Sequence, residues 1–180
     1  MSIASAGVDY DGGDYLVGRF TLPADAGAAI GPAISNFFGT NSAIQLVANT
    51  RYLIHGLLFF LKTTAEAVTI TLTASSNVVG ARGRYIGTPT AGAFASATSG
   101  INAQLQNPGA ATAIPFPATP SLTTAVDHTI QFWAIVETGA TATPNIRVNV
   151  TCPAGTVTPR KWSTYQVFAL SSGNIGTFVA

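Results

Sequence analysis

Two stretches of the chain follow the same pattern of apolar and polar positions. In YLIHGLLFFL, from Tyr52 to Leu61, nearly every position is apolar. An extended strand there places Tyr52, Ile54, Gly56, Leu58 and Phe60 on one face and Leu53, His55, Leu57, Phe59 and Leu61 on the other. After KTTAEA, the apolar positions Val68, Ile70 and Leu72 alternate with Thr69, Thr71 and Thr73, which predicts a half-buried strand. Downstream, HTIQFWAIVE is followed by TGATATP and then NIRVNVT, where Ile146, Val148 and Val150 alternate with Arg147, Asn149 and Thr151. Each stretch predicts a hairpin of one doubly covered strand and one singly covered strand. Their spacings differ by about two residues, which makes the second an architectural echo rather than a sequence repeat. Two such units with long connections predict an all-β fold, an antiparallel two-sheet sandwich.

The remaining segments fit around that core. YLVGRFTL at Tyr15–Leu22 predicts a short strand or arm, and the Ala/Gly/Pro-rich residues 23–43 read as loop, since Gly31-Pro32 interrupts any helical turn. GARGRYIGT reads as a Gly/Arg loop or short strand. In NPGAATAIPFPATPSL the prolines exclude a helix and a central strand, so an extended connection is expected, and it needs something to lie against. PRKWSTYQVFAL, from Pro159 to Leu170, predicts the last strand. The expected organisation is an N-terminal arm and lead-in over 1–43, a sandwich over 44–170 and a C-terminal arm over 171–180.

Composition changes the picture of the surface. Only 8% of the 180 residues are charged, against roughly 25% in ordinary soluble domains. Net charge is +1 and mean hydropathy is +0.37. Such a surface has few devices to keep neighbours away, so much of it is expected to be covered by copies of the chain or by a larger assembly. The balance favours neither nucleic acid nor anionic membrane. The apolar run from Leu53 is too short to span a membrane, and MSIASAGVDYDGGDY lacks the basic and apolar regions of a signal peptide. The single Cys152 forms neither an internal disulfide nor a cysteine metal cluster. Synthesis in the cytosol fits these features.

No reaction is legible. Asp9, Asp11 and Asp14 in DYDGGD have the wrong spacing for a calcium loop, and no metal is expected. His55 and His128 read as structural; Asp127-His128 is not a triad, because strand neighbours point to opposite faces. The acids do not converge in sequence, and no phosphate-binding glycine loop is present, so neither catalysis nor a cofactor is expected. Arg82 and Arg84 could clamp a phosphate or a partner's carboxylate. The sequon at Asn149 falls inside a predicted strand and reads as chance. Tyr85, Trp133, Trp162 and Tyr165 offer stacking surfaces that would suit a glycan.

The segment AIQLVANTRYLIHGLLFFLKTTAEAVTITLTASS resembles a pattern of small β-sandwich domains in tailed-phage virion proteins. There, a lead-in of the form L-x-A-N-T-x-Y enters a strand with a glycine between apolar positions, matched here by Leu46 to Tyr52 and then Ile54, Gly56 and Leu58. RKWSTYQVFAL is similar to the closing strand of those domains. The resemblance covers roughly residues 40–76 and 128–170. It implies a jelly-roll-like sandwich with extended arms, a homotrimer, and a role without catalysis in a phage particle assembled from proteins made in the bacterial cytoplasm. The expected function is that of a capsid decoration or cement protein on the virion surface, bound to the major capsid protein and stabilising the head shell. A receptor- or glycan-binding tail-fibre or spike domain is the alternative. Candidate interface residues are Leu53, His55, Leu57 and Phe59 on the second apolar face, Arg82 and Arg84, and Pro115, Phe116 and Pro117 in the Pro-rich connection.

Overall fold

The computed structural model describes residues 15–64, 68–76, 78–87, 104–106, 113–119, 127–140 and 143–170. These contain only strands: β1 (Tyr15–Thr21), β2 (Ser35–Asn36), β3 (Ile44–Gln45), β4 (Arg51–Lys62), β5 (Val68–Ala74), β6 (Val78–Gly87), β7 (Gln104–Gln106), β8 (Ala113–Thr119), β9 (Asp127–Thr138), β10 (Asn145–Thr151), β11 (Val157–Pro159) and β12 (Thr164–Leu170). The larger sheet runs β1-β12-β4-β9-β6-β7, with β11 also on β4. The smaller runs β2-β10-β5-β8, with β3 also on β10. All pairings are antiparallel, and the two sheets form a β-sandwich.

Neither expected hairpin forms. β4 lies in the larger sheet and β5 in the smaller, and β9 and β10 divide in the same way. The connections after Lys62 and after Thr138 therefore link one sheet to the other. Both are longer than the two-residue turns that fix a hairpin. Hydrophobic alternation states which face of a strand is buried, but not which strand supplies its hydrogen bonds. The long strands pair with each other, from Arg51↔Glu137 to Leu61↔Asp127, and the Thr-bearing strands pair with each other, from Ile146↔Ala74 to Thr151↔Thr69. The pairings are nested: β1 with β12, β2 with β10, β4 with β9, β5 with β8. The chain is thus one long two-ply ribbon folded over itself.

The faces are as the pattern requires. Tyr52, Ile54, Leu58 and Phe60 of β4 are buried, with Ile130, Phe132, Ala134 and Val136 of β9 and Tyr165, Val167 and Ala169 of β12. Opposite them lie Val68, Ile70 and Leu72 of β5 and Ile146, Val148 and Val150 of β10. Each large aliphatic or aromatic side chain buried in this way contributes about 1.5–3 kcal/mol. Gly56 faces Phe132 across the β4/β9 ladder, and the Phe132 ring occupies the space where a side chain at 56 would stand. Lys62, which ends the apolar run in sequence, is itself buried.

The LVANTRY lead-in is a corner. Val47 N–H donates to the Tyr52 hydroxyl at 2.6 Å, and Asn49 adopts φ 52°, a conformation asparagine tolerates better than most residues. The Thr138 hydroxyl accepts from Thr50 N–H at 2.9 Å and lies 2.7 Å from Val47 O, fastening the corner to the end of β9. The motif therefore turns the chain into β4, a packing role.

Several boundaries move. β1 pairs with β12 and β2 with β10, so the sandwich draws on the chain from Tyr15, inside the lead-in expected over 1–43. Of the segment expected as a loop or short strand, Gly80–Gly87 belong to the ten-residue strand β6, whose backbone lies between β9 and β7. The Pro-rich segment is β8 at the edge of the smaller sheet, where a missing N–H is tolerated. The expected last strand is interrupted, with β11 and β12 both on β4 and residues 160–163 bulging between them. The C-terminal arm at 171–180 and the DYDGGD stretch lie outside the described residues.

Gly56→Ala forces the Phe132 ring out of its place, and overpacking of this kind costs about 1–3 kcal/mol. Denaturant unfolding is expected to show that loss, and Phe132→Leu in the same chain is expected to restore part of it, a non-additivity that separates ring contact from strand propensity.

Candidate assembly surface

The outer face of the larger sheet is built by the alternate residues of its strands, and the register fixes how they line up. One row is wholly apolar across four strands: Leu16 of β1, Phe168 of β12, Leu53 of β4 and Ile135 of β9. Leu16 is 45% and Ile135 43% exposed, and Leu53 and Phe168 are half-buried. The next row reads Arg19, Gln166, His55, Trp133, and the third Thr21, Thr164, Leu57, Gln131. Phe59 and Leu61 continue the β4 stripe towards the bulge. The centre of this face carries no charged side chain from β4, β9 or β12, while Arg19 stands on its flank and the Arg51–Glu137 pair, at 3.6 Å, at its end. That ion pair is exposed on both sides and adds little to stability.

His55 stacks on Trp133 at 5.4 Å between ring centroids, and its Nε2 lies 3.1 Å from the Gln131 amide nitrogen. With the Gln131 amide oriented this way its N–H donates to Nε2, a contact that a neutral ring accepts. Burial lowers the His55 pKa below its ordinary value in agreement with that arrangement. His128 is different: it faces inward, 2% exposed, against the Phe60 ring.

The nine residues singled out from sequence are divided between the two sheets. Leu53, His55, Leu57 and Phe59 share the outer face of the larger sheet. Arg82 and Arg84 occupy register positions of the same face, opposite Ile135 and Trp133. Pro115, Phe116 and Pro117 are on β8, at the edge of the other sheet. The sequence reading missed Leu16, Ile135 and Phe168. The odd-numbered apolar positions of FWAIV were the available signal for Ile135, but Leu16 and Phe168 needed the register.

The bulge at 160–163 was also missed. Ser163 is fully buried, and its hydroxyl accepts from Phe59 N–H at 2.9 Å, replacing a ladder bond that the bulge breaks. Arg160 holds two carboxylates, Asp25 at 3.0 Å and Asp127 at 2.9 Å, which are far apart in sequence. The Lys161 backbone N–H, with the Arg160 guanidinium, keeps the Asp25 carboxyl below its usual range. A carboxyl so held is a clamp and a poor general acid. The clamp fixes Trp162 at φ 68°, a conformation rare for a bulky side chain, with 67% of the residue exposed and Lys161 Nζ 4.5 Å above its ring. The other aromatics considered for sugar stacking do not join it: Tyr85 and Tyr165 are buried and Trp133 is stacked on His55. Among the described residues no group of His, Cys, Asp or Glu is arranged to hold a metal.

In comparison with known proteins, the chain matches no family model, no curated protein and no solved structure.

Two outcomes follow from this geometry. The unfolded chain protonates His55 more readily than the folded one, so the His55 contribution to stability is complete above about pH 6.5 and is lost as pH falls through the lowered folded value. Thermal unfolding from about pH 7.5 to about pH 5 is expected to show a steeper acid decline for the natural chain than for His55→Gln. Ser163→Ala leaves the part-buried Phe59 N–H without its acceptor, an expected loss of about 1 kcal/mol in denaturant unfolding.

Proposed function

We propose that this chain is a non-enzymatic structural protein of a phage particle, a capsid decoration or cement protein that trimerises and stabilises the head shell. The observation that carries the proposal is the apolar row Leu16–Phe168–Leu53–Ile135 on the outer face of the larger sheet. It stands on a chain with 8% charged residues, which has little else to resist or direct association. Shape supports the same reading. The orders β1-β12-β4-β9 and β2-β10-β5-β8, with nested pairing, support reading the sandwich as a jelly roll with β6 and β7 added to one sheet, and jelly rolls recur in viral capsid domains. In a shell, each copy of such a face would bury apolar area at about 25 cal/mol per Å², and repetition around the particle would make small contacts sum to resistance against expansion.

The alternative, a glycan- or receptor-binding fibre tip, is favoured by one feature of the end of the sandwich, the exposed Trp162 on its clamped bulge. Tryptophan fluorescence titrated with host polysaccharide separates the readings: saturable quenching lost in Trp162→Ala supports the fibre tip.

Light scattering of the purified protein is expected to give a trimer, and the protein is expected to bind isolated capsids at symmetric, stoichiometric sites and raise their disruption temperature. Leu53→Glu places a carboxylate in the apolar row, and desolvating it is expected to weaken self-association by at least about a hundredfold while leaving the monomer folded. A natural chain that remains monomeric and ignores capsids overturns the proposal.

A further inference from the structure

The outer face of the smaller sheet has the opposite character. Thr69, Thr71 and Thr73 of β5 and Arg147, Asn149 and Thr151 of β10 occupy its alternate positions. Where the residues around β2 cross β10 there is an open depression of about 460 Å³, lined by Ile34, Ser35, Asn36, Thr40, Arg147 and Asn149. That volume is within the range of about 300–1,000 Å³ usual for small-molecule sites.

Two groups at this depression lack the partners their chemistry calls for. Asn149 is only 8% exposed; its amide nitrogen donates to the Thr73 hydroxyl at 3.0 Å, but its Oδ1 is buried with no hydrogen-bond partner among the described residues. A buried unpaired acceptor costs about 1–3 kcal/mol, so it is a place where a donor is needed. If the amide is turned over, its N–H is the orphan instead, and a hydroxyl group answers either arrangement, being both donor and acceptor. Arg147, two residues away on the same face, forms no ion pair with any described carboxylate. Its guanidinium suits a planar carboxylate held by paired N–H donors. At the rim, Ile34 is 70% exposed, an apolar contact for the C–H face of a ring, and Ser35, Asn36 and Thr40 add short polar groups.

We propose that this depression is a binding site for an acidic saccharide, one uronic acid residue of a polysaccharide, with the carboxylate on Arg147 and a ring hydroxyl on the Asn149 amide. This goes beyond the assembly reading and does not depend on it, since the two faces belong to opposite sheets.

Amide-detected NMR titration tests it with three probes: galacturonate, galactose and acetate. Galacturonate is expected to shift the signals of Asn36, Thr40, Arg147 and Asn149 saturably and to bind about tenfold more tightly than galactose. Arg147→Gln is expected to bring galacturonate down to the level of galactose, and Asn149→Val to weaken both sugars. Thr40→Val, at an exposed rim position, provides a second weakening should the Asn149 variant fail to fold. Acetate binding as well as galacturonate would reduce the site to a simple anion contact and overturn the proposal. So would the absence of saturable shifts with either sugar, which would leave the depression to water.

Discussion

The register between β4 and β9 is the constraint on which the rest of this sandwich depends. It joins the two longest strands, places Gly56 against Phe132, and decides which side chains face the opposing sheet. A slip of one residue would turn Leu53, His55 and Leu57 inward and expose Ile54 and Leu58. The Gly56–Phe132 contact resists such a slip, because the ring fits only where the opposite residue has no side chain. The Thr138–Thr50 bonds at one end of the ladder pin the same alignment from outside. Both flanking strands, β12 and β6, inherit their faces from this pair, and so does the apolar row on the outer surface.

A ribbon of nested pairs joins residues far apart in sequence, β1 with β12 above all. Such a topology pays its loop-closure entropy before most contacts form, which places it among slow folders. The pairs β6 with β7, β5 with β8 and β6 with β9 close the shorter loops. Nucleation there, followed by outward zipping, is the order the entropy favours.

How much of this was legible in the sequence depended on whether the signal was local. The alternation in VTITLT and NIRVNV and the two-faced run YLIHGLLFFL assigned nearly every buried and outward residue of β4, β5 and β10, because side-chain period is a property of a single strand. Asn149 was the exception, outward by period yet buried beneath the neighbouring segment. Pairing was not local. An arch and a hairpin leave the same hydrophobic pattern, and the difference lies in which distant strand completes the ladder. For the same reason Leu53, His55, Leu57 and Phe59 could be named in advance as one face, while Phe168, Leu16 and the Asp25–Arg160–Asp127 clamp could not. Composition, a global property, says that charge is scarce but not where the apolar part of the surface lies.

Because β1 pairs antiparallel with β12, Tyr15 lies beside Ala169, and the chain enters and leaves the sandwich at the same corner. That corner is at the pole where Arg51 meets Glu137, opposite the pole that carries Trp162. The adjacency makes Tyr15 and Ala169 a place for a cross-strand link that would close the outermost pair of the nested ribbon. A link of this kind would hold the first and last described strands together at one pole and leave the tryptophan pole untouched.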